Sequence, residues 1–267
     1  MPDGLLKNFL YAELLERNTK PEMGVIKKET EKSRNAPNGN EAFVLDVHAR
    51  LSDVYGRQIR YFHDLDPLSE LVSALLSHRT KNKQSGQAFK NLIGAFGTWE
   101  AVRDADTKAV EAAIAPCTWP EQKAPRIQDV LRRIGADRGE LSLEFLRSLT
   151  PAEARAWLEQ LPGVGPKTSA AVLQFSNLRA KALPVDSHHF RVAVRLGIIN
   201  ERIGEGKANR VLEALLPPRF SAQDMYDHHQ VMMRHGQNIC THYRPQCAAC
   251  VLLDRCPTGQ VNMVAKT

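Results

Sequence analysis

The sequence has few aromatic residues, no long hydrophobic run and no alternating polar–apolar segment. Phe, Tyr and Trp make up 6% of its 267 residues. No apolar run approaches the roughly 20 residues that a membrane-spanning helix needs, and the first residues lack the basic segment of a secretory signal. These absences argue against a membrane protein, and they lead us to expect a reducing, cytoplasmic compartment.

The charge balance is modestly basic. Lys and Arg outnumber Asp and Glu by 36 to 30, which gives a formal net charge of +6 at pH 7. An excess of this size is compatible with an anionic partner such as nucleic acid, but it does not identify one. Hydrophobic residues make up 43% of the chain, which indicates a globular protein with enough apolar side chains for a sizeable core.

Hydrophobic periodicity predicts an all-α fold from Ala42 onward. Apolar residues recur at helical spacing in residues 68–76, 89–96 and 127–134, and strand patterns are absent. Residues 1–40 differ from the rest. A short amphipathic helix is predicted within residues 5–15, followed by a charged segment with Pro and Gly that we interpret as a flexible linker.

A glycine-rich break joins two predicted helices. The first helix is predicted over residues 151–160 from the capping box at Thr150, and a second helix begins with Pro166 and runs to about Phe175. Glycines in the break let the backbone approach a ligand closely, and free N–H groups at a helix start favour an anion. The hairpin therefore suits a DNA phosphate, although an ordinary glycine turn between helices explains the same residues.

Four of the five cysteines are crowded near the C-terminus. Their spacing is Cys240-x6-Cys247-x2-Cys250-x5-Cys256. In a reducing compartment such crowding indicates a metal centre. Four thiolates suit an iron–sulfur cluster or zinc, but zinc sites usually pair two Cys-x2-Cys units and this segment has one. The fifth, Cys117, is predicted to be a small buried hydrophobe.

Together these motifs resemble the endonuclease III family of helix–hairpin–helix DNA glycosylases. The similar segments are Leu-Pro-Gly-Val-Gly-Pro-Lys-Thr at 161–168, Val-Asp-Ser-His at 185–188 and the 6-2-5 cysteine spacing. The resemblance covers about residues 42–259. It implies two helical lobes with a DNA-binding cleft between them. One is a barrel of residues 66–178, the other is an iron–sulfur domain of 42–60 plus 179–267, and 1–40 remains as an N-terminal extension.

The resemblance implies a DNA glycosylase with abasic-site lyase activity. Lys167 would be the nucleophile, and Asp186 would stabilise the positively charged sugar that forms when the base leaves. A lysine one residue inside a helix start is placed where the dipole favours a neutral amine, and Asp186 is also a candidate N-cap. The implied cofactor is a [4Fe–4S] cluster. The implied partner is double-stranded DNA with an oxidised pyrimidine or an abasic site, bound by a monomer.

Other residues are implied to contact DNA. Arg79 stands where the family has a glutamine that fills the gap left by the extruded base, and Trp119 stands in the loop that supplies a wedge. An arginine only donates hydrogen bonds, so Arg79 predicts better processing of lesions opposite guanine than opposite adenine. The remaining implied contacts are Leu161, Gly163, Val164 and Gly165 of the hairpin, His188, and Arg244 in the cysteine loop.

Two alternatives remain at this point. The first is another glycosylase of the same superfamily. Lys167 disfavours the adenine type, which usually has a hydroxyl residue there, whereas a thymine or uracil mismatch enzyme stays open. The second is a DNA-binding iron–sulfur protein without turnover, which only the altered loops at Arg79 and Trp119 support.

Overall fold

The structure is a computed structural model that describes residues 38–265. Within this range the chain forms twelve α-helices, four short 3₁₀ helices and no strand, which confirms the all-α prediction. The helix and most of the linker predicted in residues 1–40 lie outside the described residues. No helix between residues 38 and 265 is both long and apolar enough to cross a bilayer.

The helices divide into two compact units. The hairpin unit is Tyr61–Pro184, and the cysteine unit comprises the described residues up to Arg60 together with those from Val185 onward. The α-helices are α1 Glu41–Tyr55, α2 Pro67–Ser77, α3 Asn82–Phe96, α4 Trp99–Asp104, α5 Thr107–Ala113, α6 Pro120–Arg138, α7 Pro151–Leu158, α8 Pro166–Phe175, α9 Ser187–Arg195, α10 Glu205–Glu213, α11 Ala222–Asn238 and α12 Pro257–Val264. The 3₁₀ helices are Glu144–Ser148, Glu201–Ile203, Cys247–Ala249 and Leu253–Arg255.

Helix α2 is the centre of the hairpin unit. Its sequence is apolar on most sides, and it packs against α3, α6 and α8. The Asp66 side chain caps it by accepting the N–H groups of Leu68 and Ser69. The apolar repeat in residues 89–96 predicted a buried face that included Ile93. This was wrong, because Ile93 is 39% exposed while Leu92 is fully buried. The buried side of α3 is a narrower stripe through Ser85, Ala88 and Leu92.

Helix α11 is the centre of the cysteine unit, where it packs against α1 and α9. It begins with a capping box formed by Ser221 and Asp224. His228 and His229 are buried in it, where they are part of the packing. The ring of His228 lies 5.3 Å from that of His189 and 5.5 Å from that of His48, centroid to centroid, so imidazoles form part of this core.

We expect this imidazole core to weaken the protein in mild acid. Burial, aided by His48 and His229, lowers the pKa of His228 to about 3, whereas an unfolded histidine titrates near 6.5. The unfolded state therefore gains the proton first, and stability is lost as pH falls from 6.5 towards 3. His228 alone should cost about 1 kcal/mol between pH 7 and 5.5. Urea midpoints at both values test this, and His228→Leu should show a shallower pH dependence; an equal dependence in both proteins would contradict it.

Candidate functional site

The hairpin is built by local signals at both of its helices. Thr150 and Glu153 form the predicted capping box at the start of α7, which ends at Leu158. Gly165 is the N-cap of α8 and Pro166 its first residue, as the sequence predicts. No side chain caps α8. Its first N–H groups therefore have no capping side chain as acceptor, and an anion is a partner that such groups favour.

The apolar residues of the hairpin are anchors rather than contact surfaces. The Leu161 and Val164 side chains are 7% and 6% exposed. Their N–H and carbonyl groups also close the turn, since Val164 N–H donates to the Leu161 carbonyl at 3.1 Å. If these two residues meet DNA, they do so through the backbone. Gly165, where a Cβ would meet nothing within 4 Å, adds exposed backbone next to Val164.

Gly163 cannot be replaced without strain. Its φ is +80°, and a Cβ built on it would lie 2.7 Å from Cδ of Arg126. We expect Gly163→Ala to lower the free energy of unfolding by about 1–3 kcal/mol, because the left-handed backbone and the contact both disfavour a side chain. Gly165→Ala is the matched control, since its φ is −110° and a Cβ there meets nothing within 4 Å. Urea unfolding of both variants is the measurement, and equal losses would contradict the assignment.

Lys167 is the second residue of α8 and lines an open pocket beside the hairpin. The pocket is formed by His78, Arg79, Trp119, Gln122, Lys123 and Lys167. Three residues that the sequence nominated, Lys167, Arg79 and Trp119, are thus brought together. The pocket is rich in cations and, among its lining residues, has no carboxylate to hold Lys167 in an ion pair.

His78 is a pocket residue that sequence reasoning did not nominate. Its Nε2 lies 3.0 Å from Oγ1 of Thr168, the residue after Lys167. Burial, together with the charges of Lys167, Lys123 and Arg126, lowers the pKa of His78 to about 4, so the imidazole is neutral at pH 7. Its place in the segment Leu-Ser-His-Arg, whose arginine was already a candidate, was the signal that could have indicated it.

Asp186 is the N-cap of α9 in the cysteine unit. Its Oδ1 accepts the N–H of His189 at 2.7 Å, so the predicted capping role is confirmed. His188 follows it, and Nδ1 of that ring lies 3.1 Å from Nη2 of Arg191. A Cβ on Gly236 would lie 2.8 Å from Cβ of His188, so α11 approaches α9 closely at this point. The helix start therefore fixes the carboxylate of Asp186 and the backbone of His188.

The four clustered cysteines line a single, mostly apolar pocket in the cysteine unit. Each sulfur has a polar neighbour. Arg195 donates to Sγ of Cys240 at 3.3 Å, and the N–H groups of Leu252 and Gly259 donate to Cys250 and Cys256 at 3.4 and 3.2 Å. Asn262 donates to Cys247 at 3.7 Å. Donors of this kind stabilise thiolates, so the pocket offers four soft ligands with their supporting hydrogen bonds.

Two arginines that the sequence did not nominate fix the loop that leads into this pocket. Arg191 donates to the carbonyls of Cys240 and Gly236 at 2.9 and 2.6 Å. Arg195 donates to the carbonyls of Thr241 and His242 at 2.7 and 2.8 Å. The loop beyond them is open to solvent. Tyr243 is 91% exposed and Arg244 is also exposed, where a phosphate could reach it.

The four clustered thiols are soft ligands of the kind that metal centres use. Burial raises the pKa of the Cys250 thiol to about 11, so four thiolates would persist together only with cations among them. Among residues 38–265, no group of three or more His, Cys, Asp and Glu side chains is arranged to hold a metal ion. Cys117 lies apart in the hairpin unit, 5% exposed, as predicted for a buried hydrophobe.

The family follows from comparison with known proteins. Residues 72–218 match the model of the HhH-GPD superfamily of base excision DNA repair proteins. The chain belongs to this superfamily, and within it to the endonuclease III family. The matched residues include the hairpin, Lys167 and Asp186, and they end before the cysteine loop.

Two curated relatives illustrate the range of this superfamily. Endonuclease III of Thermotoga maritima is 29% identical over 205 residues, covering 76% of this chain and 89% of that protein. The DNA glycosylase/AP lyase ROS1 of Arabidopsis thaliana is 33% identical over 171 residues. The chain spans only 9–13% of the length of ROS1 and of the other ROS1 and DEMETER relatives, so it corresponds to one segment of those plant proteins.

Solved structures of endonuclease III and of a thymine-DNA glycosylase have the same fold. A trapped endonuclease III–DNA covalent intermediate aligns with a TM-score of 0.71 at 22% identity, over 84% of this chain and 99% of that one. A thermostable thymine-DNA glycosylase aligns with a TM-score of 0.65 at 20% identity, over 82% of this chain and 96% of that one. The all-helical helix–hairpin–helix glycosylase fold is therefore shared.

Proposed function

We propose that the chain is a base excision repair glycosylase with abasic-site lyase activity, acting on oxidised pyrimidines in double-stranded DNA. The observation that carries this proposal is the position of Lys167, directly after the hairpin and in a pocket without carboxylates. A monofunctional glycosylase needs no amine there. The names of the relatives add support, since ROS1 is a DNA glycosylase/AP lyase.

The chemistry proposed for Lys167 begins with its lone pair. The amine attacks C1′ of the sugar while the C1′–N bond breaks, and the base leaves with that electron pair and takes up a proton. Ring opening gives a Schiff base between Nζ and C1′. Loss of a C2′ proton then releases the 3′ phosphate by β-elimination.

Asp186 is proposed to stabilise the first step electrostatically. Positive charge builds on the sugar as the base departs, and a fixed carboxylate offsets it. The N-cap bond to His189 keeps the carboxylate in one orientation. Duplex DNA would be held by the hairpin N–H groups at one phosphate, and by His188 and Arg244 at others.

The cysteine pocket is proposed to hold a [4Fe–4S] cluster through Cys240, Cys247, Cys250 and Cys256. When bound, the cluster supplies cations that neutralise the thiolates and tie the loop to α12. The chemistry of Lys167 and Asp186 needs no electron, so the role assigned to the cluster is structural. The exposed loop from Thr241 to Gln246 would thereby be held in shape for DNA.

We expect anaerobically purified protein to contain iron and acid-labile sulfide in about equal amounts, about four of each per chain, with a brown chromophore. Cys250→Ser should lose the chromophore and lower the melting temperature, because the loop then loses its anchor. Cys117→Ser is the matched control and should keep the full iron content. One zinc per chain, or iron retained in Cys250→Ser, would refute the cluster.

Borohydride trapping tests the proposed activity. Incubation with a duplex that contains one abasic site should leave a covalent protein–DNA adduct, since only a Schiff base is reduced in this way. If the chain is a DNA-binding protein without turnover, no adduct should form. If it is a glycosylase without lyase activity, the base should be released with no adduct and no strand cleavage.

A mismatch-directed thymine or uracil glycosylase is the second candidate. Arg79 favours it, because the exposed guanidinium at the pocket matches the acceptors of a guanine left opposite the extruded base. The shared fold of a thymine-DNA glycosylase is compatible with it. Release of thymine or uracil from mismatches with guanine, faster than release of an oxidised pyrimidine, would select this candidate.

A further inference from the structure

Two exposed side chains at the pocket stand on strained backbone. Arg79 and Trp119, here called the rim pair, have φ values of 51° and 53°. Only four non-glycine residues in the described chain have positive φ, and two of them meet at this pocket. The left-handed region is unfavourable for such residues, so surrounding contacts must hold them there.

A hydrogen-bond network ties the backbone of the rim pair together. Thr118 Oγ1 donates to the Arg79 carbonyl at 2.7 Å. Thr118 N–H donates to Oγ1 of Thr80 at 3.2 Å, and the two threonine hydroxyls lie 3.0 Å apart. The residue after Arg79 is thus bonded to the residue before Trp119. These bonds join the two turns to each other.

Lys123 is the hub of this network. Its Nζ donates to the carbonyls of Leu76 and His78 at 2.7 and 2.8 Å, and to Oγ1 of Thr80 at 2.8 Å. All three ammonium protons therefore have acceptors, which belong to the turn that carries Arg79. Lys123 itself lies in the first turns of α6, four residues after Trp119 and bonded to its carbonyl through the Lys123 N–H at 3.1 Å. One residue thus connects both halves of the rim.

The buried ammonium of Lys123 indicates a role other than packing. Lys123 is 5% exposed, and no carboxylate in the described residues pairs with it. A buried cation with only neutral partners is costly, and a buried amide would satisfy some of the same carbonyls at lower cost. The three short bonds nevertheless fix the turn more rigidly than a neutral donor would, because charged hydrogen bonds are the stronger ones.

The geometry points to Lys123 as a positioning residue that holds Arg79 and Trp119 in the left-handed conformation, preformed to enter a DNA duplex beside an extruded nucleotide. This inference rests on the proposed function. If the turns of Arg79 and Trp119 are already ordered, no entropy is lost by ordering them when DNA binds. Base extrusion already costs free energy at that step. Arg79 would then meet the orphaned base, and Trp119 would stack at the gap.

A double-mutant cycle tests the inference. Lys123→Met keeps the side-chain length without donors, and we expect single-turnover base removal from duplex to fall by about 10- to 100-fold. In an Arg79→Ala/Trp119→Ala background the same substitution should change the rate by less than about threefold, because its effect passes through those side chains. Lys108→Met, an exposed lysine of the same unit, controls for charge. Equal losses in both backgrounds would overturn the inference.

Two further measurements keep the test decisive. If Lys123→Met does not fold, Thr118→Val removes the bond to the Arg79 carbonyl and the contact with the Thr80 hydroxyl. The resulting loss of rate should likewise vanish in the double-alanine background. Base extrusion can also be measured without any bond being broken, by the fluorescence of 2-aminopurine placed opposite a stable abasic analogue. A rise that requires both Lys123 and the rim pair supports the inference even if borohydride trapping fails and the proposed function falls. No rise with the wild-type protein overturns the inference.

Discussion

Lys167→Ala should abolish strand cleavage at abasic sites and borohydride trapping, with both falling by at least about 1,000-fold. No other group in the pocket can replace the amine. The neighbouring Lys123 is buried, and its ammonium donates three hydrogen bonds, so it has no lone pair that could attack the sugar. Single-turnover kinetics on an abasic duplex is the measurement.

The same variant should still bind duplex DNA. The N–H groups at the start of α8 belong to the backbone, and removing a side chain at the second helical position leaves them in place. Affinity measured by fluorescence anisotropy should stay within about tenfold of wild type, since one positive charge is lost. Lys108→Ala, in the exposed part of the same unit, is the matched control. Cleavage at a near-normal rate by Lys167→Ala would show that Lys167 is not the nucleophile.

Asp186→Asn should slow base removal by about 100- to 1,000-fold, the usual effect of losing one fixed group that stabilises developing charge. Asparagine is as good an N-cap as aspartate, so α9 should start at the same residue and the fold should be unchanged. The substitution therefore removes the negative charge and little else. Single-turnover rates on a duplex with one oxidised pyrimidine measure the effect.

Comparison of two substrates separates the charge from the cap. On a ready-made abasic site, where no glycosidic bond has to break, Asp186→Asn should lose far less activity than on the intact lesion. Asp186→Ala loses charge and cap together, and its free energy of unfolding should fall by about 1 kcal/mol relative to Asp186→Asn. Equal losses on both substrates would show that Asp186 acts on something other than the departure of the base.

The sequence predicted the hairpin closely because its signals are local. A capping box at Thr150, proline at Pro166 and glycine at Gly163 each depend on backbone within a few residues. The start and end of α8 therefore agree with the sequence prediction. The two roles of Asp186, as N-cap and as candidate charged group, could likewise be predicted. Capping depends only on the residue type and on the helix that follows it.

The pocket around Lys167 could not be predicted in the same way. The left-handed backbone of Arg79 and Trp119 is held by residues up to about 40 positions away in sequence, and no propensity favours it. The sequence predicts that Lys123 is an ordinary charged residue of an amphipathic helix, yet tertiary contacts bury its ammonium. The roles of Arg191 and Arg195 also depend on tertiary contacts, because acceptors of both lie in the cysteine loop. The sequence around them does not indicate these contacts.

The most direct test of the central claim is to locate the covalent bond. Protein trapped with borohydride on an abasic duplex should be digested with nuclease and trypsin and its peptides weighed. Trypsin does not cleave after a modified lysine, so an adduct on Lys167 should appear on a peptide running from Ala156 to Arg179, with the cut after Lys167 missing. An adduct mapped to any other residue, or no adduct with active protein, would contradict the account.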